Sequence, residues 1–384
     1  MNLDIQNVTL TPPAPKNAVR RPLLTPLPEP GHFAMFVDNS SMEKFTTCPM
    51  SAYYYLVLGR EAYARNAALT FGGALHAGLD LFLQFQWQKQ QATDLASAPV
   101  IDDEYPRQLQ AIENYFADNP APLDDYRTVE NCKEVMQHYR IRAAFPDYEW
   151  TICSDINGPL IERSFELPLG AVEVNADIKM PWLTNEQLVK VPGWVHLDSQ
   201  TDHACHVSHI HIFWTGRMDA IAHCHGINRV IDHKTTSIMG DQFSQDFQLS
   251  NQVLGYVWAA QQVWPELNIS GFCVNTIHFK KPSKSGASLT SGGVRGGAAP
   301  LAFERFYYQY SPERIQWWEH NALTLVEDFI HCLVRNYFPS HTKWCFGKYG
   351  KCSYHDVCSQ DSADLRNSLI QSEQFKPVTW NPVR

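Results

Sequence analysis

The sequence predicts an α/β fold in which helices flank a mixed central sheet. Two observations in residues 209–310 predict it. Stretches with the alternating apolar pattern of strands come before and after a stretch with helical spacing. A strand, a helix and a second strand in succession indicate a right-handed crossover between parallel strands. A hairpin directly before the crossover adds an antiparallel strand, so the sheet is predicted to be mixed.

Composition supports a globular chain with a substantial core. Of its 384 residues, 44% are hydrophobic and 12% aromatic. The net charge of −9 argues against a broadly basic protein that coats nucleic acid, although a local basic groove remains compatible with it. The sequence has no apolar run of membrane-spanning length and no secretory signal, so we expect a cytoplasmic protein, with no membrane partner. In that compartment its ten cysteines would be reduced thiols or metal ligands.

The first segment of the chain is rich in proline. Residues 1–32 lack periodicity and are predicted to be a disordered arm, followed by a single domain over 33–365 and a tail over 366–384. Ser40 with Glu43 fits a capping box, which predicts a helix that runs toward Cys48.

Helical spacing dominates the next part of the domain. Leu75, Leu79 and Phe82 recur on one helical face, with His76 at its edge, where a lone histidine is usually a boundary residue. Residues 102–119 and 126–145 are predicted to form two more helices, within a helical insertion at about 80–150.

Strand patterns begin near residue 161. Strands are predicted at 161–167, 209–214, 271–277 and 304–310, with a helix from 243 to 264. Gln252 and Tyr256 are four residues apart and therefore share a face of that helix. Pro312 is predicted to lie at the first position of a further helix.

The hairpin carries the residues of greatest chemical interest. Reversing the chain near 226–228 would bring Asp219 beside the second strand. On that strand Asp232 and Lys234 point to the same side, because side chains alternate. Carboxylate oxygens are the ligands that Mg²⁺ prefers, and a nearby ammonium can stabilise negative charge during phosphodiester hydrolysis. The alternative, an ordinary hairpin with a surface Asp and Lys, stays open on these residues alone.

Two further segments have open interpretations. Lys280, Lys281, Lys284 and Arg295 form a basic loop that either contacts phosphates or is a solvated linker. Residues 184–212 have the character of an insertion, whose clustered histidines and cysteine would either bind a second metal or be incidental. They are His203, Cys205, His206, His209 and His211.

Near the carboxyl terminus Cys345, Cys352 and Cys358 lie within fourteen residues. Three close cysteines are one short of the four thiolates that hold an iron–sulfur cluster or a structural zinc. The fourth thiolate must come from elsewhere in the chain.

Taken in order, these motifs resemble the PD-(D/E)xK nucleases of the RecB and AddB type that carry an iron–sulfur cluster, including CRISPR-associated and phage exonuclease relatives. The resemblance spans about 36–358 and implies a restriction-endonuclease-like core. It implies that Mg²⁺ or Mn²⁺ is bound by His76, Asp219, Asp232 and the peptide carbonyl of His233. It also implies that Lys234 assists catalysis and that Gln252 and Tyr256 lie near the DNA.

The same resemblance implies a [4Fe-4S] cluster, with structural Zn²⁺ as the alternative, that joins the amino- and carboxy-terminal segments. Its ligands would be Cys48, Cys345, Cys352 and Cys358. The six residues between Cys345 and Cys352 depart from the family's usual short spacing.

The function implied is a metal-dependent deoxyribonuclease. We expect an exonuclease that acts on DNA ends or single strands in recombination, repair or phage DNA processing. The sequence has no phosphate-binding motif of a helicase, so any unwinding would need a helicase or recombination partner. Two alternatives are a non-catalytic DNA-binding or assembly subunit that keeps the fold, and a zinc-stabilised interaction protein.

Overall fold

The structure is a computed structural model that describes residues 22–63, 67–92, 101–120, 122, 125–182, 194–196, 203–237, 241–281, 301–347 and 350–378. The helices are α1 (Asn39–Thr47), α2 (Pro49–Ala52), α3 (Ala67–Gln91), α4 (Ile101–Asp118), α5 (Val129–Ala143), α6 (Asp241–Gln248), α7 (Asn251–Val263), α8 (Pro312–Arg335), α9 (His355–Cys358) and α10 (Ala363–Ile370). The strands are β1 (Leu24–Pro26), β2 (His32–Val37), β3 (Arg60–Ala62), β4 (Thr151–Ile152), β5 (Ser154–Asp155), β6 (Gly158–Pro159), β7 (Ile161–Lys179), β8 (Trp194–His196), β9 (His203–Cys224), β10 (Ile227–Thr236), β11 (Gly271–Phe279), β12 (Leu301–Gln309), β13 (Phe346–Gly347), β14 (Gly350–Lys351) and β15 (Phe375–Pro377).

The chain divides into two compact units. The first unit comprises residues 1–64, 164–217 and 316–384, and the second unit comprises 65–163 and 218–315. The division falls inside β7, β9 and α8. Within the described ranges, no helix is long and apolar enough to cross a membrane.

A mixed sheet forms the centre of the second unit. β10 pairs antiparallel with β9 and parallel with β11, and β11 pairs antiparallel with β12. Helices α6 and α7 lie in the connection between the parallel strands β10 and β11. Side chains of α3, α4 and α5 share a buried apolar cluster with the sheet. The predicted α/β class, with a mixed sheet flanked by helices, is confirmed.

The hairpin between β9 and β10 turns at His225 and Gly226, one position earlier than predicted. Both residues have positive φ, 48° and 78°. This is the conformation that a two-residue hairpin loop requires at its central positions, and glycine adopts it without strain.

In the first unit β2 pairs antiparallel with β1 and parallel with β9. Large aromatic side chains form its core: Trp214 packs on Trp318 with ring centroids 5.2 Å apart, and Phe45 packs on Phe329 at 4.8 Å. A smaller apolar cluster includes Tyr54 and residues of the carboxy-terminal segment.

Three local predictions were wrong. The predicted disordered arm does not extend to residue 32, because Leu24 is fully buried and pairs with Met35 in the β1–β2 ladder. Asp38, not Ser40, caps α1, and its side chain accepts a hydrogen bond from the Ser41 N–H at 2.7 Å. The single helix predicted over 243–264 is two helices, α6 and α7.

Some predicted segments lie outside the described residues. They are residues 1–21 of the proline-rich arm, 183–193 and 197–202 of the predicted insertion, and 282–300 of the basic loop, with Lys284 and Arg295.

Candidate functional site

Two buried carboxylates lie at the end of the β9–β10 ladder. The last pair in that ladder is Ala220 with Ile231, so Asp219 and Asp232 occupy the next position on each strand. Their residues are only 7% and 4% exposed. Asp219 Oδ2 accepts a hydrogen bond of 2.7 Å from the backbone N–H of His233, which ties the two strands together beyond the ladder.

His76 reaches this point from α3. Leu75 and Leu79 are fully buried and fix that face of the helix on the core, which leaves His76 at its edge. The His76 ring places Nε2 2.9 Å from the His233 carbonyl oxygen and Nδ1 3.5 Å from Asp219 Oδ2. The imidazole, the carboxylate and the peptide carbonyl therefore meet around one point.

Glu162 joins this group and was not predicted as a site residue. His76, Glu162 and Asp219 each offer a ligand atom, and the three atoms lie within 4.8 Å of one another. Glu162 has φ of 53°, a left-handed conformation that is uncommon for residues other than glycine and is often retained at functional sites. In the sequence nothing distinguishes Glu162 from Glu166 or Glu173 on the same strand, so local pattern could not have found it.

Lys234 and Gln252 contact the second carboxylate. Lys234 Nζ lies 2.8 Å from Asp232 Oδ2, and the Gln252 side-chain amide donates to Asp232 Oδ1 at 2.9 Å. The Lys234 side chain is 31% exposed, so its ammonium is held by Asp232 yet accessible to solvent. Tyr256 lies one turn further along α7 and is nearly buried.

The electrostatics of the site are unequal. Burial raises the pKa of Asp232, and the neighbouring Asp219 adds to this, while Lys234 opposes it. For Asp219, burial also acts to raise the pKa, but His76 and His233 overcome it and hold the pKa below its usual range. Burial acts to lower the pKa of His76, but Asp219 and Asp232 raise it to about 9. Positive charge on His76 and Lys234 thus faces the two carboxylates, and Asp232 is the one whose ionisation stays unfavourable.

This donor set fits a hard divalent cation. Carboxylate and carbonyl oxygens are the preferred ligands of Mg²⁺, and an added imidazole nitrogen is also accepted by Mn²⁺. A bound dication would compensate the buried negative charge that Lys234 and His76 together leave unfavourable on Asp232.

Three cysteine thiols of the first unit lie within electrostatic range of a fourth, Cys358. Burial raises the pKa of Cys358, a hydrogen bond with Tyr54 lowers it, and Cys352, Cys48 and Cys345 raise it. The Cys352 N–H donates to the Cys345 carbonyl at 2.8 Å. The His341 N–H lies 3.5 Å from Cys48 Sγ, in hydrogen-bonding range of a sulfur acceptor.

Among the described side chains of the predicted insertion, His206 lies apart from His209 and His211, which both contact His32. His206 contacts the Asp177 carboxylate at 3.1 Å, whereas His211 contacts His32 of β2, with 2.9 Å between the ring nitrogens. His209 stacks on His32 with ring centroids 4.6 Å apart, and Cys205 is buried.

Comparison with known proteins gives one clear match. The sequence matches the model of the PD-(D/E)XK nuclease superfamily over residues 39–359. Among solved structures, a crystal structure described as "Putative exonuclease" from Eubacterium rectale aligns with a TM-score of 0.40 and 10% sequence identity, covering 85% of this chain and 88% of that chain. No curated protein matches the sequence at a significant level.

Proposed function

The chain belongs to the PD-(D/E)XK nuclease superfamily, and from that premise we propose that it is a divalent-metal-dependent deoxyribonuclease of the RecB and AddB type, acting as an exonuclease on DNA ends or single strands. The observation that carries the proposal is the convergence of His76, Glu162 and Asp219 beside the Asp232–Lys234 pair. A subunit that only binds DNA has no need of this set.

We assign the metal to His76, Glu162, Asp219 and Asp232, with the His233 carbonyl as a further ligand. A bound Mg²⁺ or Mn²⁺ would polarise a phosphoryl oxygen and lower the pKa of a coordinated water. In the metal-free site His76 Nε2 donates a hydrogen bond of 2.9 Å to the His233 carbonyl oxygen, so the ring and the carbonyl meet at the same point. The imidazole would give up this proton to bind the ion.

The chain's own residues would do the rest of the work. Hydrolysis forms a bond between a water oxygen and phosphorus and breaks one phosphorus–oxygen ester bond. Negative charge grows on the phosphoryl oxygens, and the accessible ammonium of Lys234 would stabilise it. Asp232 holds that ammonium at 2.8 Å, and Gln252 fixes the other oxygen of Asp232, so the lysine is positioned before substrate arrives.

The test is cleavage of single-stranded and duplex DNA, labelled at the 5′ or the 3′ end, with Mn²⁺ or Mg²⁺. Asp232→Asn and Lys234→Ala should each lower kcat by at least about 100-fold, because each removes a charge that acts in the transition state. Asp177→Asn, at an exposed carboxylate of the first unit, is the matched control and should cleave normally. Wild-type protein that does not cleave, or either variant at wild-type activity, would exclude the proposal.

We further propose that Cys48, Cys345, Cys352 and Cys358 bind a [4Fe-4S] cluster with a structural role. The support is the proximity of Cys48, Cys345 and Cys352 to Cys358 in one unit, since cysteine thiolates are the usual ligands of such clusters. Iron, sulfide and zinc analysis of anaerobically purified protein separates this cluster from a structural zinc.

A further inference from the structure

A buried polar network lies behind the metal site, in the second unit, and Asn275 is at its centre. Asn275 is fully buried on β11. Its side-chain oxygen accepts hydrogen bonds from the Tyr148 hydroxyl at 2.9 Å and from Arg305 Nε at 3.1 Å. Its side-chain nitrogen is 2.9 Å from the Tyr139 hydroxyl and 2.7 Å from His233 Nδ1. An amide has two acceptor sites and two donors, and here all four are used.

Arg305 fixes the direction of these bonds. A guanidinium can only donate, so the Asn275 atom that faces it must be the oxygen, and the nitrogen must face His233. His233 Nδ1 therefore accepts, which places the imidazole proton on Nε2.

Arg305 is itself held firmly. Its guanidinium carbon lies 3.3 Å from the ring centroid of Tyr148 and 3.4 Å from that of Trp150. Arg305 Nη1 also donates to the Tyr148 carbonyl at 3.0 Å. Stacking on two aromatic rings and hydrogen bonds from Nε and Nη1 leave the side chain little freedom, so Arg305 is a rigid anchor for Asn275.

His233, whose ring Asn275 holds, is also the residue whose peptide groups contact Asp219 and His76 in the metal site. The β9–β10 ladder ends at the Ala220–Ile231 pair, so strand pairing with β9 no longer directs the peptide groups of His233. Instead its N–H donates to Asp219 at 2.7 Å and its carbonyl faces His76 at 2.9 Å. On its other side β10 stays paired with β11 through this position, with His233 opposite Asn275, so that pairing and the hold on the His233 ring together orient these two groups.

We propose that Asn275, through the His233 ring, is a positioning residue that sets the His233 peptide and thereby the affinity of the site for its divalent cation. This inference rests on the proposed function. Side chains that orient metal ligands from outside the coordination shell commonly change metal affinity by about 10- to 100-fold when they are removed.

The experiment measures Mn²⁺ binding by isothermal titration calorimetry, without DNA. Asn275→Ala should raise the Kd for Mn²⁺ by about tenfold or more. Asn228→Ala is the control, because it removes an amide with contacts to His223, Cys153 and Leu267 elsewhere in the same unit, and it should leave Kd unchanged. His233→Ala should weaken binding as Asn275→Ala does. The double variant should be no weaker than His233→Ala, because Asn275 acts through that ring.

The measured Kd values separate the inference from the proposed function. An unchanged Kd in Asn275→Ala, an equal loss in Asn228→Ala, or additive losses in the double variant would overturn the inference while leaving the nuclease proposal intact. Wild-type protein that neither binds Mn²⁺ nor cleaves would instead refute the proposed function. If Asn275→Ala does not fold, Tyr148→Phe removes only one donor to the Asn275 oxygen and should raise Kd to a smaller degree. An unchanged Kd in Tyr148→Phe would then count against the network.

Discussion

At the scale of single residues, Glu162 is the feature of the site that the sequence did not reveal. Motif order identified His76, Asp219 and Asp232, because each stands in a short recognisable context. Glu162 is placed beside them by a backbone conformation at the start of β7 that no pattern of apolar residues encodes. A glutamate with a left-handed backbone conformation is stabilised by the surrounding fold. Such a conformation can be predicted only once that fold is known.

Glu162→Gln tests whether this residue holds the ion. The amide has nearly the same shape but lacks the negative charge, so we expect at least about a tenfold loss in Mn²⁺ affinity and in kcat/KM. Thermal unfolding of the metal-free protein should change little. Glu173→Gln, at an exposed position of the same strand, should behave as the wild type in both assays. Retention of Mn²⁺ affinity in Glu162→Gln would remove Glu162 from the ligand set.

At the scale of elements, periodicity predicted the helices and strands whose pattern is local. It failed for strands that form only by pairing with a distant segment. The β10, α7 and β11 succession follows from alternation and helical spacing, and α4 and α5 lie close to their predicted ranges. β1 was missed because Leu24 becomes buried only by pairing with Met35 of β2. Composition alone cannot indicate that a proline-rich stretch will find such a partner.

The strand pair β2–β9 carries three imidazoles on one face, which gives a prediction on pH. Burial lowers the pKa of His211, and His32 and His209 lower it further, while Glu29 opposes this. Below a pH of about 6.5 the unfolded chain therefore takes up a proton at this histidine that the folded protein resists. The free energy of unfolding should accordingly fall as the pH is lowered through that range.

His211→Phe keeps an aromatic ring on His32 but cannot be protonated. The fall in thermal midpoint between pH 8 and pH 5.5 should therefore be smaller in His211→Phe than in the wild type. His206→Gln, on the same strand but bonded to Asp177, serves as the control and should keep the wild-type slope. Equal slopes in all three proteins would show that His211 does not contribute to this pH dependence.

At the scale of the whole molecule, the thiols near Cys358 show how far sequence distance and spatial distance diverge. The first unit is assembled from three separate segments of the chain, which is how Cys48, Cys345 and Cys352 all come within electrostatic range of Cys358. Spacing alone joined only the last three. The fourth was assigned by family resemblance, because contacts across roughly 300 residues of sequence leave no local pattern.

Cys352→Ala tests the role of this grouping in stability. A cross-link that closes a loop of roughly 300 residues lowers the entropy of the unfolded chain, on the order of 5 kcal/mol by the chain-entropy relation. Loss of one ligand should therefore abolish the visible absorbance and the bound iron, and lower the thermal midpoint measured by circular dichroism. Cys332→Ala, at a half-buried thiol of the same unit outside the group of four, should keep both colour and stability. A colourless Cys352→Ala protein with the wild-type midpoint would show that the cluster is not structural. Full iron content in that variant would show that Cys352 is not a ligand.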